Sequence, residues 1–116
     1  MSSQGPLPTL PTPLTYQILL ALADGDRHGY GIIKEIERRS GPESAPSTGA
    51  LYLALRRMGA DDVIESAPVP SEAEGDSRRK YYRLTEKGRR AAEEESIRLA
   101  GLVRTAREKK LIPEGT

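Results

Sequence analysis

The spacing of apolar residues changes along this chain, from a helical period before residue 60 to alternation after residue 63. Thr12 is suited to cap a first helix with Pro13 in its first turn, and Ser47 is suited to cap a third. The pattern between them predicts a second helix from Tyr30 to Arg39, followed by a loop over residues 40–47. The residues predicted to face inward are Leu14, Ile18, Ala21, Leu22, Ile32, Ile33, Ile36, Leu51, Leu55 and Met58. On the second helix, the residues predicted to face outward are Lys34, Glu35, Arg38 and Arg39.

Two strands and a long helix are predicted after residue 62. Residues 63–69 and 79–84 would form a hairpin with the polar, acidic segment 70–77 at its tip, and Thr85 is suited to cap a final helix to about residue 110. Small and apolar residues on this helix form a stripe with the spacing of a coiled-coil seam, comprising Gly88, Ala92, Leu99, Leu102 and Ala106, with Glu95 as an interruption. The order of elements predicts a mainly α fold with a small β-hairpin, the winged helix-turn-helix.

The chain divides into three predicted parts. Residues 1–13 contain four prolines among Ser, Thr and Gly, which predicts a flexible or extended arm. Residues 14–84 would form the winged helix, and residues 85–112 a C-terminal dimerisation helix. No charged side chain occurs in residues 1–23, and the longest mostly apolar run is ten residues, about half of what a bilayer span needs. We therefore expect no targeting signal and a cytoplasmic protein.

Composition narrows the chemistry. The chain has 116 residues, no cysteine, no Phe or Trp, and a single His, so disulfides and thiolate metal ligands are excluded. The small aliphatic core makes burial against a second copy a reasonable expectation. Acidic residues occur in runs typical of solvated surface, and no nucleophile has a candidate base in a known motif. We therefore expect neither an enzyme nor a bound cofactor or metal.

Positive charge is concentrated in one segment. Residues 77–90 contain seven cations and one anion, although the net charge of the chain is only +1. Strand alternation would place Leu84 and Tyr82 inward and the residues Arg79, Tyr81 and Arg83 outward. Such a basic wing would contact phosphate, although charged residues also protect an exposed edge strand from pairing.

The outward face of the third helix has the residue types of a DNA-reading surface. It comprises Ser47, Thr48, Ala50, Tyr52 and Leu53, followed by Arg56 and Arg57. Small or hydroxylated residues at a helix start allow close approach to base edges, and Arg binds guanine or phosphate with two hydrogen bonds. The alternatives are that Arg56 and Arg57 form a solvated face and that Tyr52 is a half-buried core residue. His28 is interpreted as a local hydrogen-bonding residue before the second helix.

Three segments together resemble the PadR family of bacterial transcription regulators: "ILLALADGDRHGYGIIKEIE", "STGALYLALRRM" and "RRKYYRLTEKGRR". The resemblance covers about residues 14–92. It implies a dimeric winged helix, usually a repressor of a nearby gene, in which the final helix packs with the first helix of the partner. Some members release DNA on binding small hydrophobic or phenolic compounds.

The resemblance also implies roles for individual residues. Tyr30 and Lys34 match positions that face the DNA backbone. The start of the recognition helix matches Ser47, Thr48 and Tyr52, with Arg56 further along, and the basic strand of the wing matches Arg79 and Lys80. The expected dimer interface comprises Leu14, Ile18, Leu99, Leu102, Val103 and Ala106.

The chain departs from the family at three places. Gly59 or the pair Asp61 and Asp62 is expected to close the third helix. Asp62 stands where the family commonly has Gly before the first wing strand, with Gly59 three residues earlier, which predicts an early end of the helix. Leu53 replaces a common proline, and its side chain would either contact a thymine methyl or simply be exposed. The final helix lacks the aromatic residues with which some relatives hold ligands, so a small hydrophobic effector is implied by the resemblance alone.

The function expected from all of this is that of a homodimeric, sequence-specific DNA-binding repressor. Its two recognition helices would enter successive major grooves about 34 Å apart on a palindromic promoter site. The main alternative is a winged-helix adaptor that binds proteins and not DNA. Non-specific chromosomal binding and a small hydrolase or transferase are weaker alternatives.

Overall fold

The computed structural model describes residues 12–70, 79–113 and 115. The helices and strands, in chain order, are α1 Pro13–Leu22, β1 Arg27–His28, α2 Gly29–Ser40, a 3₁₀ turn Pro42–Ser44, α3 Thr48–Ala60, β2 Ile64–Ala67, β3 Tyr81–Leu84 and α4 Glu86–Glu108. The strands form an antiparallel sheet in the order β1-β3-β2. The mainly α fold with a small antiparallel sheet is confirmed. Most of the predicted arm and most of the predicted hairpin tip lie outside the described residues.

The same capping contact begins each of the four α-helices. The side chains of Thr12, His28, Ser47 and Thr85 each accept a hydrogen bond from the backbone N–H three residues later, at 3.0–3.1 Å. This contact satisfies one of the N–H groups that a helix start leaves unpaired. The predicted caps are therefore confirmed, and His28 is a local hydrogen-bonding residue as expected, through its Nδ1 atom.

The core lies between the first three helices, and Ile64 of β2 and Ala92 of α4 complete it. Of the predicted inward residues, Leu14 and Ile33 are only partly buried and pack at its margin. Ile18 is fully buried in its own chain and has no surface left for a partner. This burial corrects its predicted place in a dimer interface. The prediction that Glu35 faces outward is also corrected. Only 12% of its side chain is exposed, because arginines surround it.

A third strand, β1, was not predicted. Its two residues pair with β3, with Arg27 opposite Tyr82 and His28 opposite Tyr81. Two residues are too few to show the alternation that marks a strand in sequence. The consequence is that the start of α2 is joined directly to the basic strand.

The end of α3 agrees with closure by Asp61 and Asp62 and corrects the expected early end. The helix continues to Ala60, and Asp62 adopts a left-handed conformation with φ of 63°. The N–H of Val63 donates to the carbonyl of Met58, and that of Asp62 to the carbonyl of Gly59, both at 3.1 Å. These two bonds define a Schellman motif, in which glycine usually occupies the left-handed position. Asp62 therefore occupies a position that favours glycine without shortening the helix, since Asp tolerates this conformation better than most residues.

Substitutions at Asp62 should show this backbone requirement. Asp62→Gly is expected to leave the free energy of unfolding unchanged or to raise it by up to about 1 kcal/mol, since glycine has no steric penalty at positive φ. Asp62→Val is expected to lower it by about 1–2 kcal/mol. Urea unfolding at one protein concentration would measure both. Equal stability of the two variants would contradict the requirement.

The stripe on α4 divides into two halves. Gly88, Ala92 and Glu95 are buried against the same chain, and Glu95 is paired with Arg98. Farther along, Leu102 and Val103 are 56% and 42% exposed. The interruption at Glu95 thus lies where the helix leaves its own domain, and only the later half of the stripe offers an apolar surface.

Candidate nucleic-acid interface

The face of α3 opposite the core is exposed. The core side of the helix is formed by Leu51, Leu55 and Met58, each at most 3% exposed. Successive residues of an α-helix are about 100° apart, so Gly49, Leu53, Arg56 and Arg57 occupy the opposite side. No ion pair within the described part of the chain involves Arg56 or Arg57. Both guanidinium groups are therefore available to a negatively charged partner.

Tyr52 packs between α3 and the start of α2. Its side chain is 44% exposed, but a Cβ atom added to Gly29 would lie 2.3 Å from the Tyr52 hydroxyl oxygen. The phenol end therefore occupies space that only glycine leaves free. Tyr52 is thus partly a packing residue, which was the alternative interpretation, and it fixes α3 against α2 while its exposed edge stays on the surface.

A cluster of aromatic and basic side chains, which we call the Tyr30 cluster, joins α2 to the residues before β3. It comprises His28, Tyr30, Lys34 and Arg79. The Tyr30 ring is 56% exposed, with Lys34 Nζ at 5.7 Å and the Arg79 guanidinium carbon at 6.0 Å from its centroid. His28 stacks on Tyr30 with centroids 6.4 Å apart, and its Nε2 lies 2.8 Å from Arg79 Nη1. Cations held over an aromatic face keep their charge at the surface.

Lys80 connects the Tyr30 cluster to α3. A cleft of about 530 Å³ between α3 and the sheet has Arg56 on one side and Lys80 on the other, with Tyr52 between them. A smaller hollow of about 80 Å³ is lined by Tyr52 and Lys80 together with His28, Tyr30 and Arg79. The two hollows share Tyr52 and Lys80, and Lys34 lies beside Tyr30. Ser47 and Thr48, at the exposed start of α3, line neither hollow. Sequence reasoning had no signal for the contact between His28 and Arg79, which are 51 positions apart.

The outward side of β3 is only partly as predicted. Arg83 is exposed and forms a cross-strand ion pair with Glu65 at 3.0 Å. Tyr81 was expected outward but is partly buried, because β1 lies alongside it and the His28 ring meets its edge at 5.2 Å. Burial raises the pKa of the inward-facing Tyr82. Arg79 and Lys80 are thus the exposed basic residues at the start of this strand.

Glu35 organises three arginines beside this surface. Its carboxylate pairs with Arg38, with Arg39 at 3.0 Å and with Arg27 at 3.7 Å. The hydrogen bond from Arg38, reinforced by the other arginines, lowers the pKa of the Glu35 carboxyl. A carboxyl group with a lowered folded-state pKa stabilises the fold above its unfolded-state pKa, and that contribution is lost as the pH falls through the folded value.

Glu35→Gln is accordingly expected to have a lower free energy of unfolding than wild type at pH 7. Below about pH 4, the difference in free energy of unfolding between the two proteins is expected to become smaller. Urea unfolding midpoints at pH 7 and pH 3.5 would show this. Glu43→Gln is a matched control, since Glu43 is exposed. A stability difference that stayed constant with pH would mean that Glu35 acts through packing rather than charge.

A hollow of about 430 Å³ lies between α1 and α4. Its walls include Tyr16, Leu20 and Leu99, with Glu95 and Arg98 at one side. The Tyr16 hydroxyl and the Ser96 hydroxyl are hydrogen-bonded across the two helices at 2.6 Å. The hollow continues into the exposed apolar half of the α4 stripe, so its surroundings belong to that surface.

Within residues 12–70, 79–113 and 115, no group of three His, Asp or Glu side chains is placed to hold a metal ion. No helix in that part of the chain is long and apolar enough to cross a membrane.

The helical core, the α2–α3 pair and the antiparallel sheet define a winged helix-turn-helix protein. The family model of the PadR-like transcriptional regulators matches residues 18–94, and the chain belongs to that family. This confirms the resemblance seen in the sequence. The family is one of transcriptional regulators.

Solved structures show the same fold. A PadR family transcription regulator from Clostridium difficile R20291 is 29% identical, with a TM-score of 0.71 over 82% of this chain and 95% of that one. Bacillus subtilis PadR, in a complex with operator DNA, is 22% identical with a TM-score of 0.56 over 68% of this chain and 44% of that one. The second likeness shows the fold alone.

Among curated proteins, an uncharacterized 37.1 kDa protein of transposon TN4556 from Streptomyces fradiae is 40% identical over 85 residues, or 73% of this chain. The chain spans between 22% and 64% of the length of the curated relatives that it matches.

Proposed function

We propose that this protein is a homodimeric repressor that binds a palindromic promoter site through α3 and the wing, which is the hairpin of β2 and β3. The observation that supports this most is that Arg56 and Lys80 line one cleft and Lys80 and Arg79 line the hollow next to it, although Asp62 and Glu65 also line the cleft. DNA binding draws most of its affinity from neutralised phosphates, and Arg56, Lys80 and Arg79 supply the cations. The operator complex of the similarly folded Bacillus subtilis PadR is consistent with this proposal.

Within this proposal α3 enters the major groove. Its start, at Ser47 and Thr48, is exposed and small enough for close approach to base edges. Tyr52 would contact the backbone with its exposed edge while it fixes the helix angle. Arg56 would bind a guanine edge or a phosphate with two hydrogen bonds.

The phosphate contacts would flank α3 on both sides. Tyr30 and Lys34 would meet one strand of the DNA backbone, and Arg79 and Lys80 the backbone beside the wing. These contacts position the protein but carry no sequence information, so specificity would rest on α3.

The dimer would form through the exposed half of the α4 stripe, with residues 85–112 as the dimerisation helix. Leu99, Leu102, Val103 and Ala106 continue the line of the buried residues beyond the domain, and Leu14 of α1 lies at the core margin. Exposed apolar side chains in a row are the usual sign of an interface. Two copies would place two α3 helices on one face, as a palindrome requires.

Binding to the protein's own upstream promoter DNA, measured by fluorescence anisotropy at several salt concentrations, tests this function. We expect the promoter to be preferred over a scrambled duplex by a hundredfold or more, with affinity falling steeply in salt. Arg56→Ala is expected to weaken binding by about tenfold or more, and Lys80→Ala to reduce the salt slope by about one per protomer. Arg104→Ala, on an exposed part of α4, is the matched control and should change neither.

The outcomes separate the candidate functions. Equal, salt-sensitive affinity for both duplexes would indicate non-specific chromosomal binding. Indifference to nucleic acid and to salt would contradict the proposal and favour the protein-binding adaptor.

A further inference from the structure

Leu53 is an apolar side chain at the centre of an otherwise small and basic face. It is 65% exposed, on the side of α3 opposite the core. Gly49, one turn before it, has no atom within 4 Å of the position that a Cβ would occupy. Arg56 and Arg57 are one turn after it, both exposed. Leu53 is therefore the most protruding apolar group on the surface proposed to enter the groove.

No contact among the described residues accounts for this position. Leu53 belongs neither to the core cluster nor to the residues packed against it, and it lines none of the clefts between α3 and the sheet. A single exposed leucine is ordinary on a protein surface. In the major groove, however, the thymine C5-methyl is the largest apolar group, because the base edges otherwise carry hydrogen-bond donors, acceptors and single C–H groups.

We propose that Leu53 is a specificity-determining residue that contacts the C5-methyl group of a pyrimidine in each half of the DNA site. This inference rests on the proposed function and adds the chemistry that α3 would recognise. The flanking arginines would bind phosphate or guanine on either side, while the missing side chain at Gly49 allows the helix to approach the base edges closely. In unmodified DNA the group is the thymine methyl, and 5-methylcytosine presents the same one.

The test compares duplexes that differ by one methyl group. The starting duplex is the tightest-binding site that the wild-type protein selects from random DNA. In a series of variants of this duplex, one thymine position at a time is replaced by deoxyuridine in both half-sites. At one position, wild-type binding is expected to weaken about fourfold per half-site, because burial of one methyl group is lost. Leu53→Ala is expected to bind the thymine and deoxyuridine duplexes equally. At that position, 5-methylcytosine should bind wild type more tightly than cytosine does, and Leu53→Ala should not distinguish them.

Ile97→Ala is the matched control. Ile97 is 73% exposed on α4, outside the proposed DNA surface and off the stripe of Leu99 and Leu102, so this variant should keep the preference for the methyl group. Sequence-preferring binding that ignores every methyl group, or a methyl preference that persists in Leu53→Ala, would overturn this inference alone. Failure to select any preferred duplex would overturn the proposed function as well.

Discussion

Gly88→Ala is expected to lower the free energy of unfolding by about 3 kcal/mol, a large share of the stability of a small domain. A Cβ at Gly88 would lie 1.9 Å from the carbonyl oxygen of Val63. That oxygen is held in place, because it accepts a hydrogen bond from the Thr85 N–H at 3.2 Å. Relief of the clash would require α4 to move away from the start of β2. Urea unfolding at fixed protein concentration would measure the loss.

Gly101→Ala in the same helix is the control for this result. No atom lies within 4 Å of a Cβ at Gly101, so only the helix preference of alanine over glycine acts. The variant should be more stable than wild type by about 0.5–1 kcal/mol. If both variants were stabilised, α4 would not make the close approach to Val63.

Leu102→Glu is expected to be monomeric, where the wild type is proposed to be a dimer, and to bind the promoter on the order of a hundredfold more weakly. A carboxylate in the apolar contact between two α4 helices would be buried without a partner, which costs several kcal/mol. A monomer binds only one half-site and loses the gain from simultaneous binding of two. Analytical ultracentrifugation would show the change in mass, and anisotropy the change in affinity.

Ile97→Glu is the matched control, since Ile97 is at least as exposed as Leu102 but lies on the opposite side of α4. It should remain dimeric and bind the promoter as wild type does. A Leu102→Glu protein that sedimented as a dimer would contradict the proposed surface. Monomeric wild-type protein at micromolar concentration would contradict dimerisation itself.

The sequence predicted the helices well, because their signals are local. Thr12, Ser47 and Thr85 each combine a capping side chain with an apolar period that begins directly after it, and both features can be seen without knowledge of the fold. The end of α3 was predicted less well, because the prediction considered the side chain of Asp62 and not its backbone conformation. Its backbone conformation depends on the hydrogen bonds of the whole helix end, which the sequence does not display.

The sequence predicted which residue types lie on the surface, but it did not predict which of their side chains contact each other. Glu35 was placed outward because its helical position favours that side, but Arg27 from β1 and two arginines of α2 cover it. Likewise β1, at two residues, is too short to be recognised as a strand in the sequence. The contact between His28 and Arg79 is therefore visible only in the structure. Long-range pairs of this kind require the three-dimensional arrangement.

The fit of the Tyr52 phenol over Gly29 has a consequence for how DNA specificity changes among related proteins. A larger residue at position 29 would require the Tyr52 side chain to shift, because a Cβ there would lie 2.3 Å from its hydroxyl oxygen. Gly49 and Leu53, by contrast, can be replaced without effect on the core. If α3 reads the operator as proposed, single substitutions at positions 49 and 53 would change the preferred operator, whereas a larger residue at position 29 would also disturb the packing of Tyr52. An engineer who wished to retarget this protein would keep Tyr52 and randomise positions 49 and 53.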